Sequence, residues 1–295
     1  MKKIIASVMA GALALGMLAG CGQSTDASTS TSTSGNSGET ETQEKYRLLD
    51  EDFGAEEYGI AFKKGNVDLA KEVYAQLDAM IEDGAAAEIS DKWFGEDILL
   101  KDQSYYNEEE MAQTGDGSLQ AVKDKGTLVL GLDASFPPMG FTAENGDIVG
   151  FDIDLATEVC ERMGVTLETK PINWNSKEQE LENGNIDCIW NGLSVDDSRL
   201  EMMTIPKAYL ANAQVIMVPA DSDIQSKADL EGKVVGLQAG STALSAVQAD
   251  AATMESFKEL KEYEDNVMAI SDMDNGRLDA VVLDVVVARY IMSQQ

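Results

Sequence analysis

The sequence predicts an α/β protein, and three observations carry that prediction. Short apolar runs suited to strands recur at residues 127–132, 186–190, 214–218, 233–237 and 278–283, and residues 166–170 are read as a further strand. Several of the stretches between them place apolar residues on one helical face. Strands that alternate with helices in this way form parallel sheets covered by helices. With 295 residues and 44% hydrophobic content, one or two domains with a full core are expected.

The elements follow in order. Lys2-Lys3, an apolar run over residues 4–18 and the ending Leu18-Ala19-Gly20-Cys21 fit a signal peptide better than a spanning helix. That ending resembles the bacterial lipobox, which implies cleavage after residue 20 and a diacylglyceryl group on Cys21. Residues 21–44 are Ser/Thr-rich without apolar periodicity, as in a flexible tether. After the strand at 127–132, DASFPPMGF (133–141) is a loop punctuated by Pro137-Pro138. The helix at 152–163 aligns Ile153, Ala156, Val159, Cys160 and Met163. Trp174 lies in a loop, a short helix over 176–182 ends at Asn183-Gly184, and Gly240-Ser241-Thr242 opens another helix. The strand at 278–283 leads into a last helix.

Composition excludes several functions. The chain carries 22 basic and 53 acidic residues, a formal charge of −31, which disfavours contact with nucleic acid. It has no histidine, so Ser-His-Asp catalysis, Cys-His catalysis and His-ligated metals are excluded. No catalytic residue, metal or cofactor is expected. Cys160 and Cys188 are read as buried free thiols.

In parallel sheets, ligands sit beyond the carboxyl ends of the strands. Asp133, Asn191, Ser194, Thr242 and Asp284 stand at such ends. Their convergence marks a candidate site without any family knowledge.

At this point a family resemblance is carried by specific blocks. GFDIDLATEVCERM (150–163) resembles the signature of the family 3 extracellular solute-binding proteins. DASFPPM (133–139), NGNIDCIWNGLSVDDSR (183–199), VVGLQAGST (234–242) and GRLDAVVLD (276–284) resemble its other blocks in the family's order. The resemblance implies a two-lobed periplasmic-binding-protein-like fold (type II), with two sheets joined by two crossover strands. It implies an extracytoplasmic component of an amino-acid ABC importer, anchored to the membrane, delivering its ligand to a permease.

One block is displaced. YRLLDEDFGAEEYGIAFKKGN (46–66), a helical stretch and ISDKWFGEDILL (89–100) resemble the family's last block, yet stand first. The chain therefore resembles a circular permutant. Residues 102–118 would bridge the family's termini, reaching up to roughly 56 Å. Lobe 1 would span 57–212, and lobe 2 would combine 213–295 with 45–56. A monomer is expected; a swap of residues 45–101 between molecules is the rival arrangement.

The resemblance assigns roles. Arg199 matches the arginine that binds the ligand carboxylate, suited to bidentate pairing; otherwise it would be a surface arginine beside Asp196 or Asp197. Asp284 matches the ammonium-binding aspartate, or it is a helix N-cap. Ser241 and Thr242 offer hydroxyls and free N–H groups at a helix start. Ser194 and the backbone at Asn191-Gly192 match positions that bind the α-amino and carboxylate groups. Gly192 stands where many relatives carry a hydroxyl. Phe136 and Trp174 would wall the ligand, with core packing as the alternative; Trp190 is read as structural. Asp133 and Gln238 face the expected side-chain pocket. Competing functions are an enzyme on the same scaffold, such as a dehydratase or lytic transglycosylase, and a ligand-sensing subunit.

Overall fold

The computed structural model describes residues 44–294, which lie in one compact unit, Thr42–Gln295. The expected signal peptide, Cys21 and the tether up to residue 43 lie outside the described residues. Among the described residues, no helix is long and apolar enough to cross a membrane.

The described residues form twelve strands: β1 (Tyr46–Lys63), β2 (Thr127–Leu132), β3 (Ser135–Phe136), β4 (Gly140–Thr142), β5 (Ile148–Val149), β6 (Thr166–Pro171), β7 (Cys188–Ser194), β8 (Met203–Thr204), β9 (Ala208–Pro219), β10 (Val234–Gln238), β11 (Glu259–Tyr263) and β12 (Ala280–Asp284). Nine form one mixed sheet in the order β11-β10-β12-β9-β1-β7-β2-β6, with β8 on β1. β3, β4 and β5 form a small separate sheet.

The sheet has two parallel halves and an antiparallel centre. β2 pairs parallel with β6 and β7, and β10 pairs parallel with β11 and β12. β7 and β12 are buried at every residue, as expected for strands covered on both faces. Between them β1 and β9 pair antiparallel over most of their length. At about 3.3 Å per residue the 18 residues of β1 reach roughly 60 Å, enough to cross from one half to the other. Its register slips between Leu48 and Ala55, around Gly54 (φ +127°), and such slips bend a strand locally.

Helices then cover the faces. Helix Val67–Asp83 buries Val67, Leu69, Ala70, Val73, Tyr74, Leu77 and Met80, a stripe of period 3.6. Gly84 in the left-handed conformation stops it. Each such buried aliphatic side chain contributes about 1.5–3 kcal/mol before entropy is charged against it. Helix Phe151–Met163 buries the five predicted residues, together with Phe151, Asp152 and Leu155. Cys160 and Cys188 are free and buried.

Residues 102–118 are more ordered than a bare bridge. They include helix Glu108–Met111, and Tyr106 donates its N–H to the Pro206 carbonyl (2.8 Å) and its hydroxyl to Glu57 (2.8 Å). Asp68 and Asp116 exchange bonds with each other's backbone, fastening the segment to helix Val67–Asp83.

Two expectations change. The sequence ends a strand at residue 190, but β7 runs on to Ser194 because Leu193 and Ser194 pair with Gly59 and Tyr58 of β1. β11 goes unread from sequence, since its edge position leaves residues such as Glu259 and Glu262 in water and hides the apolar pattern.

Candidate functional site

The expected site residues gather around one buried pocket. Phe136, Trp174, Gly192, Ser194, Arg199, Gln238, Ser241, Thr242 and Asp284 line it. The space left among them is about 10 Å³, room for one water. Larger depressions, such as one of about 590 Å³ beside helix Val67–Asp83, are open and edged by solvated charges. They offer nothing comparable to the buried charges described next.

Arg199 is 6% exposed, so it is not a surface arginine. It sits in helix Asp197–Met202, whose N-cap Asp196 accepts the Arg199 N–H (2.8 Å). Nη1 donates to the Ser194 carbonyl (2.6 Å) and Nη2 to the Gly240 carbonyl (3.2 Å). Among the described residues, Asp196 is the carboxylate in ion-pair range, at 3.7 Å from Nε. Burial lowers the pKa of this guanidinium.

Asp284 ends β12 and is 5% exposed. It stands at the N-cap position of helix Val285–Ser293 yet makes no side-chain cap bond. Instead its Oδ1 accepts from Tyr58 Oη (2.8 Å), Gln214 Nε2 (3.0 Å) and Asn212 Nδ2. Burial, then the nearby Glu56 charge, pushes its pKa up to about 7.

Sequence reasoning missed the groups around it. Glu56 Oε2 accepts from Ser194 Oγ (2.7 Å), Gln214 Nε2 (2.9 Å) and Asn212 Nδ2 (3.3 Å). Glu56 lies opposite Asn212, and Gln214 opposite Asp284, so β1, β9 and β12 set these groups side by side. The signal was the period of two: Glu56 and Tyr58 share one face of β1, Asn212 and Gln214 one face of β9. Asn212 Oδ1 and Gln214 Oε1 are buried acceptors without a protein partner.

Lys177 was also missed. It opens helix Lys177–Glu182, is 2% exposed, and lies over the Trp174 ring. Its Nζ reaches the Gly240 carbonyl (3.0 Å), Trp174 O (3.3 Å) and Glu178 (2.9 Å). Burial, then the Arg199 charge, lowers its pKa to about 8. A charge on the buried face that Leu181 shares one turn later was the available signal.

Asp133 and Asn191 take supporting places. Asn191 Oδ1 accepts the Asp133 N–H (3.0 Å), while its own amide nitrogen is buried without a partner. Asp133 accepts from Ser135 N (2.9 Å) and from Gln238 Nε2 (2.7 Å) across the cleft; neither Asp133 nor Asn191 lines the pocket. Burial raises the Asp133 pKa. Ser241 makes no N-cap bond; its hydroxyl goes to the Gln238 carbonyl (2.7 Å). Thr242 Oγ1 lies 3.4 Å from Gln214 Nε2.

Gly192 takes φ +59°, and its N–H donates to the buried Asp152 (2.8 Å). A Cβ there would meet Phe136 at 2.8 Å and Tyr58 at 3.1 Å, so the wall stands where a side chain would be. Trp190 is fully buried edge-on to Tyr209, as a structural residue.

The pocket is thus lined by one guanidinium, Arg199, one carboxylate, Asp284, and the hydroxyls of Ser194, Ser241 and Thr242, with Glu56 bonded to Ser194 behind the lining. That array suits a small zwitterion. Among the described residues, no group of three His, Cys, Asp or Glu could hold a metal.

Residues 128–268 match the bacterial extracellular solute-binding proteins, family 3. An L-cystine-binding protein of Escherichia coli (strain K12) is 26% identical over 57% of this chain and 63% of its own length. The lysine/arginine/ornithine-binding periplasmic protein of the same strain is 33% identical over 55% and 62%. The chain therefore aligns with less than two thirds of these relatives. The crystal structure of an ABC uptake transporter substrate binding protein from Streptococcus pneumoniae with bound histidine is 36% identical, with a TM-score of 0.59, over 61% of this chain and 75% of that one. These relatives are binding proteins rather than enzymes. From the matched blocks, the mixed two-half sheet and this likeness, the chain belongs to the bacterial extracellular solute-binding proteins of family 3.

Proposed function

We propose that this chain is the extracytoplasmic substrate-binding component of an amino-acid ABC importer, and that it is not an enzyme. The observation that carries the reading is the burial of Arg199 and Asp284 against one pocket. A buried guanidinium whose nearest carboxylate, Asp196, stands 3.7 Å away without a hydrogen bond to it is costly unless a ligand carboxylate meets it. The ligand's carboxylate goes to Arg199, with Thr242 and the N–H groups of helix Thr242–Ala249 beside it. Its ammonium goes to Asp284, with Glu56 and Ser194 adjoining. Phe136 and Trp174 wall the side chain. The bound solutes named for the relatives are all amino acids, which supports the same class here.

A 10 Å³ space cannot admit an amino acid, so entry requires the two halves to part. Lobe 1 (57–212) and lobe 2 (213–295 with 45–56) hinge on β1 and β9. A ligand touching both stabilises closure, because those contacts exist only when closed. The permease reads the closed form. Cys21 carries the lipid that keeps the protein at the membrane surface, and the protein acts as a monomer.

The block order is that of a circular permutant. In support, β1 is the central strand between β9 and β7, although it ends at residue 63 and they begin only at residues 208 and 188. Residues 102–118 close within the same molecule.

The test is calorimetry of the purified protein against the common amino acids, with Arg199→Ala beside it. Binding by the parent and its loss in the variant is expected. Unchanged affinity in the variant, or turnover of the bound ligand, refutes the proposal.

A further inference from the structure

We propose that Gln238 sets the side-chain specificity of the cleft by capping Asp133, so that the bound amino acid has an uncharged side chain. This rests on the function proposed above and names its substrate class.

Asp133 is the carboxylate that stands at the expected side-chain end of the pocket. It is 8% exposed and contributes nothing to the pocket lining; Gln238, 2% exposed, lines the pocket in its place. The Gln238 amide nitrogen crosses the cleft to Asp133 Oδ2 at 2.7 Å and also donates to the Glu264 carbonyl at 3.1 Å. Its Oε1 faces only a long contact with Asn266 Nδ2, at 3.5 Å. The other Asp133 oxygen is held by the Ser135 N–H.

A cationic side chain entering this buried site needs a carboxylate to replace its lost hydration. Each candidate is engaged. Asp284 and Glu56 each accept from three side-chain donors and face the ligand ammonium. Asp133 is engaged by Gln238. To reach it, a lysine or arginine side chain must break the Gln238–Asp133 bond and leave one Gln238 amide hydrogen without its acceptor, the other remaining on the Glu264 carbonyl. An uncharged side chain meets the Gln238 carbonyl oxygen and the Phe136 and Trp174 rings without that loss.

The experiment is calorimetry of the purified protein with arginine, lysine, glutamine, asparagine, serine and threonine. The parent, Gln238→Leu, Gln238→Ala and the double variant Gln238→Leu/Asp133→Asn are compared. The parent is expected to bind at least one uncharged amino acid about tenfold or more tighter than arginine and lysine. Uncapping Asp133 in either single variant raises affinity for arginine or lysine about tenfold, and the double variant reverses that gain. Arginine or lysine binding the parent as tightly as any uncharged amino acid overturns the inference alone. So does an unchanged preference in a folded single variant. Failure of every amino acid to bind the parent overturns the proposed function, and this inference with it.

Discussion

The two charged ends of the pocket are built differently. Asp284 is held by side chains of strands beside it, Tyr58 on β1 with Asn212 and Gln214 on β9. Tyr58 and Asn212 stand at the edge of the proposed lobe 1 and Gln214 in the proposed lobe 2, so this shell sits on the two hinge strands themselves. Arg199 is held by main-chain carbonyls, and one of these, Gly240, lies in the other half. Its shell therefore draws on both sides of the cleft. The acidic end is therefore built on the hinge strands, and the basic end on a main-chain contact across the cleft.

The largest effect expected from breaking this contrast is at Arg199. Arg199→Ala should weaken amino-acid binding by about 2–5 kcal/mol, read by calorimetry. Asp284→Asn should cost about 1.5–3 kcal/mol of binding, since a charge-assisted bond to the ammonium is lost.

The raised pKa of Asp284 gives that second variant a pH signature. Its carboxyl moves from 3.8 to about 7 on folding, so the native state holds the proton more tightly than the unfolded chain. The associated stability is full below about pH 4 and is lost as pH rises through about 7. Asp152, also pushed up to about 7 by burial, adds to the same trend. Ligand affinity runs the other way, because the ammonium needs the ionised carboxylate. Thermal melts between pH 5 and 8 should thus show the ligand-free protein gaining stability toward pH 5 while the ligand-induced shift shrinks. Asp284→Asn should flatten both slopes.

Gly192→Ala tests the wall rather than the charges. A left-handed backbone and a Cβ 2.8 Å from Phe136 predict a loss of about 1–3 kcal/mol in thermal or denaturant unfolding. The smallest effect is expected from moving residues 45–101 behind residue 295, restoring the order of the family. Affinity should stay within about threefold, because no site contact is removed; a larger loss would sink the permutation reading.

Much of this was legible in the sequence. Helix Val67–Asp83 follows from its apolar stripe and the glycine after it. Nine of the eleven expected site residues line one pocket, because motif order and strand ends both point there. What escaped depends on partners distant in sequence. Glu56, Asn212 and Gln214 acquire meaning only once β1 lies between β7 and β9, a register that no local pattern encodes. Asn191, whose backbone is the expected ligand contact, uses its side chain to hold the Asp133 backbone. Lys177 carries a charge where an apolar residue fits the helical pattern, and its acceptor, Gly240, lies in the opposite half.

That acceptor has an evolutionary consequence. Arg199 and Lys177 both reach the same main-chain oxygen, which every residue type possesses. No substitution at position 240 can delete it. What substitution can do is obstruct it: the backbone is left-handed there, and a Cβ would strike Asn175 at 2.9 Å. The receiving side of the closure contact is thus recorded in the gene only as a missing side chain, while its two cations remain free to drift and be selected on the other side.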